Sequence, residues 1–77
     1  MPHVALKMLS GRDEQTKERL AAALQKTVTD VLGCDAKWVS VSVEDYSAEQ
    51  WQEIFREQVT ENANLRIKPQ YDPKSLL

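Results

Sequence analysis

An α+β fold built on a β-α-β unit is predicted by three features of the sequence. The chain alternates apolar and polar side chains from Pro2 onward, then carries a helical run over residues 13–32, then alternates strictly again over residues 38–44. Strand, crossover helix and strand in that order make the two strands parallel and their connection right-handed, with the helix lying over the valine and leucine face.

In the first strand Val4, Leu6 and Met8 fall on one face and His3, Ala5, Lys7 and Leu9 on the other, the two-residue period of extended backbone. The stretch Ser10-Gly11-Arg12-Asp13-Glu14-Gln15 breaks that period. It offers a cap at Ser10 or Asp13 and places carboxylates against the positive end of a helix. Leu20, Leu24, Val28 and Val31 then recur at helical spacing, and Ala21, Ala22 and Ala23 favour the helix while permitting close packing. Gly33 ends it through a left-handed closing residue.

The second strand, Trp38-Val39-Ser40-Val41-Ser42-Val43-Glu44, sets its valines on one side and Ser40, Ser42 and Glu44 on the other. A short second helix follows. Ser47 with Gln50 forms a capping box, Tyr46 with Trp51 a hydrophobic staple, and Trp51, Ile54, Phe55 and Val59 an apolar stripe. Residues 60–64 read as a loop and residues 65–68 as a short C-terminal strand stopped by Pro69. Residues 70–77 read as a surface arm or a segment draped over a neighbour. A two-stranded sheet with one bare face is marginal, and its natural cover is a second copy of the chain.

Residues 1–77 are expected to form a single domain, near the size at which one core barely offsets chain entropy. The net charge of -2 and pI near 5.3 provide no basic field for phosphates, which argues against nucleic acid as a partner. No apolar run reaches the roughly 20 residues of a membrane span and the start lacks a signal-peptide core, so a cytoplasmic protein with no membrane partner is expected. Cys34, the only cysteine, excludes an internal disulfide and a thiolate metal cluster; it reads as a bystander, and neither metal nor cofactor is expected.

Pro2 is the chemically unusual residue. A small second residue lets the initiator methionine be removed, and the nitrogen then exposed is a free secondary amine, whereas an internal proline nitrogen is a tertiary amide without a proton. Pro2 is therefore a candidate catalytic base. The plain alternative is that Met-Pro records only a small second residue.

Three segments carry a resemblance that extends over most of the chain: Pro2 opening a strand, Gly11-Arg12-Asp13-Glu14-Gln15 at the head of the long helix, and the alternating Val39-Ser40-Val41-Ser42-Val43-Glu44-Asp45. Together they resemble the 4-oxalocrotonate tautomerase family, small enzymes with an amino-terminal proline on a β-α-β scaffold. The Pro2-His3 start and the Ser47 to Gln52 helix opening are most similar to the longer, dimeric branch that acts on enols of phenylpyruvate-type 2-oxo acids.

The resemblance implies an isomerase that interconverts the enol and keto forms of a small 2-oxo acid, with the Pro2 amine as general base. An α-amino group titrates near 8 and a secondary amine higher, so apolar burial by Trp51, Tyr46 and Leu9 and a positive field from Arg12 or Lys7 are expected to keep Pro2 neutral. Arg12 matches the family arginine that grips the substrate carboxylate, and Trp51 the aromatic residue of the pocket wall. Ser40 takes the place of a second arginine on the central strand. With one clamp in place of two, a monocarboxylate fits better than the diacid 4-oxalocrotonate. His3 is expected to serve structure or an interface, and Glu44 and Asp45, pointing to opposite faces, form no acid pair. A homodimer is expected, a trimer of dimers being the family's other habit.

Two other readings remain open at the level of sequence. One is dehalogenation, hydration or decarboxylation on the same scaffold, with the proline acting as a protonated acid. The other is a non-enzymatic assembly module in which Pro2 is merely the first ordered residue.

Overall fold

The computed structural model describes all residues from Met1 to Leu77. β1 (His3–Leu9) and β2 (Ser40–Tyr46) pair in a two-stranded sheet, joined through α1 (Glu14–Leu32). At one end the Ser40 N–H donates to the Pro2 carbonyl at 3.2 Å, and at the other the Ser10 N–H donates to the Tyr46 carbonyl at 2.9 Å. Low numbers on one strand meet low numbers on the other, so the strands are parallel and the predicted β-α-β unit is present.

The ends of α1 follow from local chemistry. Asp13 is the cap, its carboxylate accepting the Thr16 N–H at 2.8 Å, while Gly33 closes the helix at φ 69° with its N–H on the Thr29 carbonyl. Of the two candidate caps, Asp13 is therefore the one used.

By contacts the chain divides into two compact units: Met1–Lys7 with Gly11–Glu44, and Met8–Ser10 with Asp45–Leu77. In the first, α1 faces the valine side of β2 across a groove of about 260 Å³ lined by Glu18, Ala21, Ala22, Gln25, Val39 and Val41. The Gln25 amide reaches over to donate to the carbonyls of Ala36 at 3.1 Å and Val39 at 3.4 Å, tying the helix to the segment that enters β2. That segment corrects the expected start of the second strand. Ala36–Trp38 form a 3₁₀ turn, because Asp35 accepts the Lys37 N–H and its carbonyl takes the Trp38 N–H, so the ladder begins at Ser40. A local side-chain cap wins over the alternation that includes Trp38.

In the second unit α2 (Ala48–Phe55) opens on the predicted capping box: the Gln50 N–H donates to the Ser47 hydroxyl and the Ser47 N–H to the Gln50 side chain. The staple forms as well, with the Tyr46 and Trp51 rings 6.5 Å apart. Beyond Phe55 the helix widens into a π turn over Arg56–Thr60, where the Glu61 N–H donates to the Arg56 carbonyl. Arg56 holds this turn through Glu53, Glu57 and Glu61, and its hydrogen bonds to Glu53 and then Glu61 raise its pKa further.

Residues 65–68 form no strand. Their alternation spans four residues, the Leu65 N–H is committed to a turn with the Asn62 carbonyl, and Pro69 brings no N–H, so no ladder is built. The tail, expected as an arm or a drape over a neighbour, folds back on its own unit: Tyr71 meets α2, and Pro73–Leu76 form a 3₁₀ turn capped by Asp72.

Val39, 7% exposed, is the one buried hydrophobic residue of the chain, while Val31, Leu32 and Ile67 stand exposed. No helix is long and apolar enough to cross a membrane.

Candidate active site

Pro2, His3 and Ser40 meet at one end of the sheet in the first unit. The Pro2 carbonyl is fixed by the Ser40 N–H, Pro2 is half-buried, and the neighbouring Met1 is 96% exposed. On the side of the sheet away from the valines, His3 Nδ1 lies 2.7 Å from the Ser40 hydroxyl and Nε2 lies 3.5 Å from that of Ser42. One serine thus holds residue 2 by its backbone and residue 3 by its side chain. The His3 position is expected from strand alternation; that Ser40 would be its partner was not legible, because the register between two strands is not written in either one.

Arg12 stands exposed between β1 and α1, one residue ahead of the Asp13 cap. Gly11 makes this possible, since its φ of 132° is a conformation that side chains rarely permit. Arg12 thus precedes the start of α1 by two residues, and a guanidinium is suited to a carboxylate because it offers two parallel donors. Hydrogen bonding from Thr16 holds the Asp13 carboxyl below the usual carboxylate range, so the cap stays ionised at neutral pH. Lys7 lies 3.4 Å from Glu44, so a carboxylate offsets its positive charge.

Trp51 belongs to the second unit and sits in a row of aromatic rings. Its indole N–H donates to the Tyr71 hydroxyl at 2.9 Å, and Tyr71 packs edge-on against Phe55, with centroids 5.5 Å apart and planes at 67°. Tyr71 is absent from the sequence-derived residues. The one available signal was an aromatic side chain between Pro69 and Pro73, in a tail that local patterning leaves unassigned.

Comparison with known proteins bears on what this arrangement does. Residues 2–53 match a family model described as "Tautomerase enzyme". A probable tautomerase of Xylella fastidiosa (strain 9a5c) is 38% identical over 73 residues, covering 92% of this chain and 89% of its own. Among solved structures, apo unfused 4-OT matches with a TM-score of 0.62 at 28% identity, covering 65% of this chain and 82% of that one. TomN, a 4-oxalocrotonate tautomerase homologue in the tomaymycin biosynthetic pathway, matches with a TM-score of 0.62 at 32% identity, covering 65% of this chain and 77% of its own. The family match includes Pro2, Arg12, Ser40 and Trp51 and ends before the π turn and the tail.

Proposed function

The chain belongs to the tautomerase enzyme family and is an isomerase, and from that premise we propose that residues 1–77 act as one domain converting the enol of a small 2-oxo acid to its keto form. The general base is the free amine of Pro2 once Met1 has been removed. The amine accepts the enol O–H proton, the electrons of that bond closing the C=O bond, and the same proton is returned from the ammonium to the adjacent carbon, where the C=C pair forms the new C–H bond. Atoms and charge balance without any cofactor, and one nitrogen serves as base and then as acid.

The observation that carries this reading is the Ser40 N–H on the Pro2 carbonyl, which fixes the first residue of the processed chain at the end of a sheet instead of leaving it as a fraying terminus. Arg12 is assigned the substrate carboxylate and Trp51 the flat unsaturated body, where an aromatic face lowers the local dielectric and stacks. Ser40 is assigned a place beside the substrate as a neutral hydroxyl already bonded to His3. One cationic clamp then suits a monocarboxylate such as phenylenolpyruvate.

Copies of the chain are proposed to associate, with a homodimer as the minimum and a trimer of dimers as the larger alternative. The sheet has two strands, and Val39 alone is buried, so an isolated chain lacks the core that a stable domain of this size needs. The test is ketonisation of phenylenolpyruvate by processed protein. Pro2→Ala is expected to lower kcat by about 10²- to 10⁴-fold, the usual contribution of a positioned base; turnover equal to the parent would remove Pro2 from the mechanism.

A further inference from the structure

Trp51 is held more firmly than a pocket wall requires for burial alone. An indole has a single donor, and here it is given to the Tyr71 hydroxyl at 2.9 Å. The next residue, Gln52, donates its side-chain amide to the Pro73 carbonyl at 2.9 Å, so two consecutive residues of α2 are bonded to the C-terminal segment. Tyr71 is itself located by its edge contact with Phe55, and the turn that follows is capped by Asp72. The Tyr46 ring of the staple lies 6.5 Å from the indole. None of the tail falls within residues 2–53, the part that matches the family.

We infer that Tyr71 is a positioning residue for Trp51, and that the segment carrying it fixes the indole plane and so sets the preference for substrates with a flat aromatic body. This rests on the reading of Trp51 given above as the residue that meets that body. An indole free to change rotamer must be ordered each time substrate binds, and one ordered in advance does not incur that cost. Tyr71 touches neither the reacting carbon nor the enol oxygen. Its loss therefore acts on binding and leaves proton transfer in place.

The test compares processed wild-type protein with Tyr71→Phe, which keeps the ring against Phe55 and removes only the acceptor, and with Trp51→Phe, which keeps an aromatic wall and removes the donor together with the five-membered ring that carries it. With phenylenolpyruvate each variant is expected to raise KM by about 3- to 10-fold, the equivalent of one net hydrogen bond, while kcat changes less than about twofold. The double variant is expected to be no worse than either single one, because both delete the same bond. With the small dienol 2-hydroxypenta-2,4-dienoate, KM is expected to move little. Solvent exchange of the Trp51 indole proton, followed by NMR, reports the bond without turnover and is expected to speed up in Tyr71→Phe.

Unchanged KM in Tyr71→Phe despite faster indole exchange would overturn the positioning role. So would an equal loss of kcat on both substrates, which is the signature of a general structural defect. If Trp51→Ala leaves the phenylenolpyruvate KM unaltered, the assignment of Trp51 to the substrate fails first and the role of Tyr71 falls with it, while the Pro2 chemistry stands on its own test.

Discussion

The imidazole of His3 and the hydroxyl of Ser40 meet at 2.7 Å across two parallel strands, and the same serine donates its backbone N–H to the carbonyl of Pro2. A position that resemblance alone assigns to the substrate is thus tied by two separate bonds to the residue proposed as base and to its neighbour. The side-chain bond sets register at the end of the sheet; the backbone bond holds the end closed.

Ser40→Ala keeps the backbone bond and deletes the side-chain one. Because the pair is exposed, the stability loss is expected at the low end of the usual range for a hydrogen bond, about 0.5 kcal/mol. The kcat on phenylenolpyruvate is expected to fall by less than about tenfold, because the backbone bond that holds Pro2 is kept. Thermal melts and steady-state rates on the same sample check both, and a rise in stability would show that the serine contributes nothing to register.

Arg12→Ala is expected to raise KM for a 2-oxo acid enol by about 10- to 100-fold, the scale of a lost hydrogen bond to a charged group. Arg12→Lys is expected to recover part of this, because a point charge replaces a planar two-donor fork. Equal KM values in all three proteins would remove Arg12 from the carboxylate site.

The Asp13 cap gives stability a defined acid limb. Bonding from Thr16 depresses the carboxyl below its unfolded value, so the cap's contribution is complete above about pH 4 and is lost as pH falls through the lower folded value. Asp13→Asn still accepts the Thr16 N–H but does not titrate. Its melting temperature is expected to depend less on pH below 4, as measured by circular dichroism; an acid limb identical to the parent's would contradict the linkage.

Association is expected to be inseparable from folding. With Val39 as the single buried hydrophobic residue, the melting temperature is expected to rise with protein concentration. Sedimentation velocity at matched concentrations is expected to show a dimer or larger species wherever the protein is folded. A folded, concentration-independent monomer would contradict this.

How far the sequence foretold these features varies with the range of the interaction. The Gly33 stop and the box of Ser47 with Gln50 are written in adjacent residues, and each formed as read. The β-α-β order followed from two periods of two on either side of a helical one. Residues 65–68 failed because a strand exists only with a neighbour to receive its ladder bonds, and alternation alone does not supply one. Trp38 left the second strand because the Asp35 side chain captured the backbone first. In the candidate site, Pro2 and Arg12 were conspicuous by residue type, whereas the partners of Ser40 and Trp51 are 37 and 20 residues away in sequence and emerge only in three dimensions.

The most direct measurement takes the same chain in two forms, one beginning at Pro2 and one retaining Met1, with the mass of each verified and phenylenolpyruvate ketonisation followed over a range of pH. The free amine is expected to turn over with a rate that rises with pH as the nitrogen loses its proton, and the form retaining Met1, whose proline nitrogen is an amide, is expected to be inactive. Equal turnover by both forms would contradict the assignment of that nitrogen as the base.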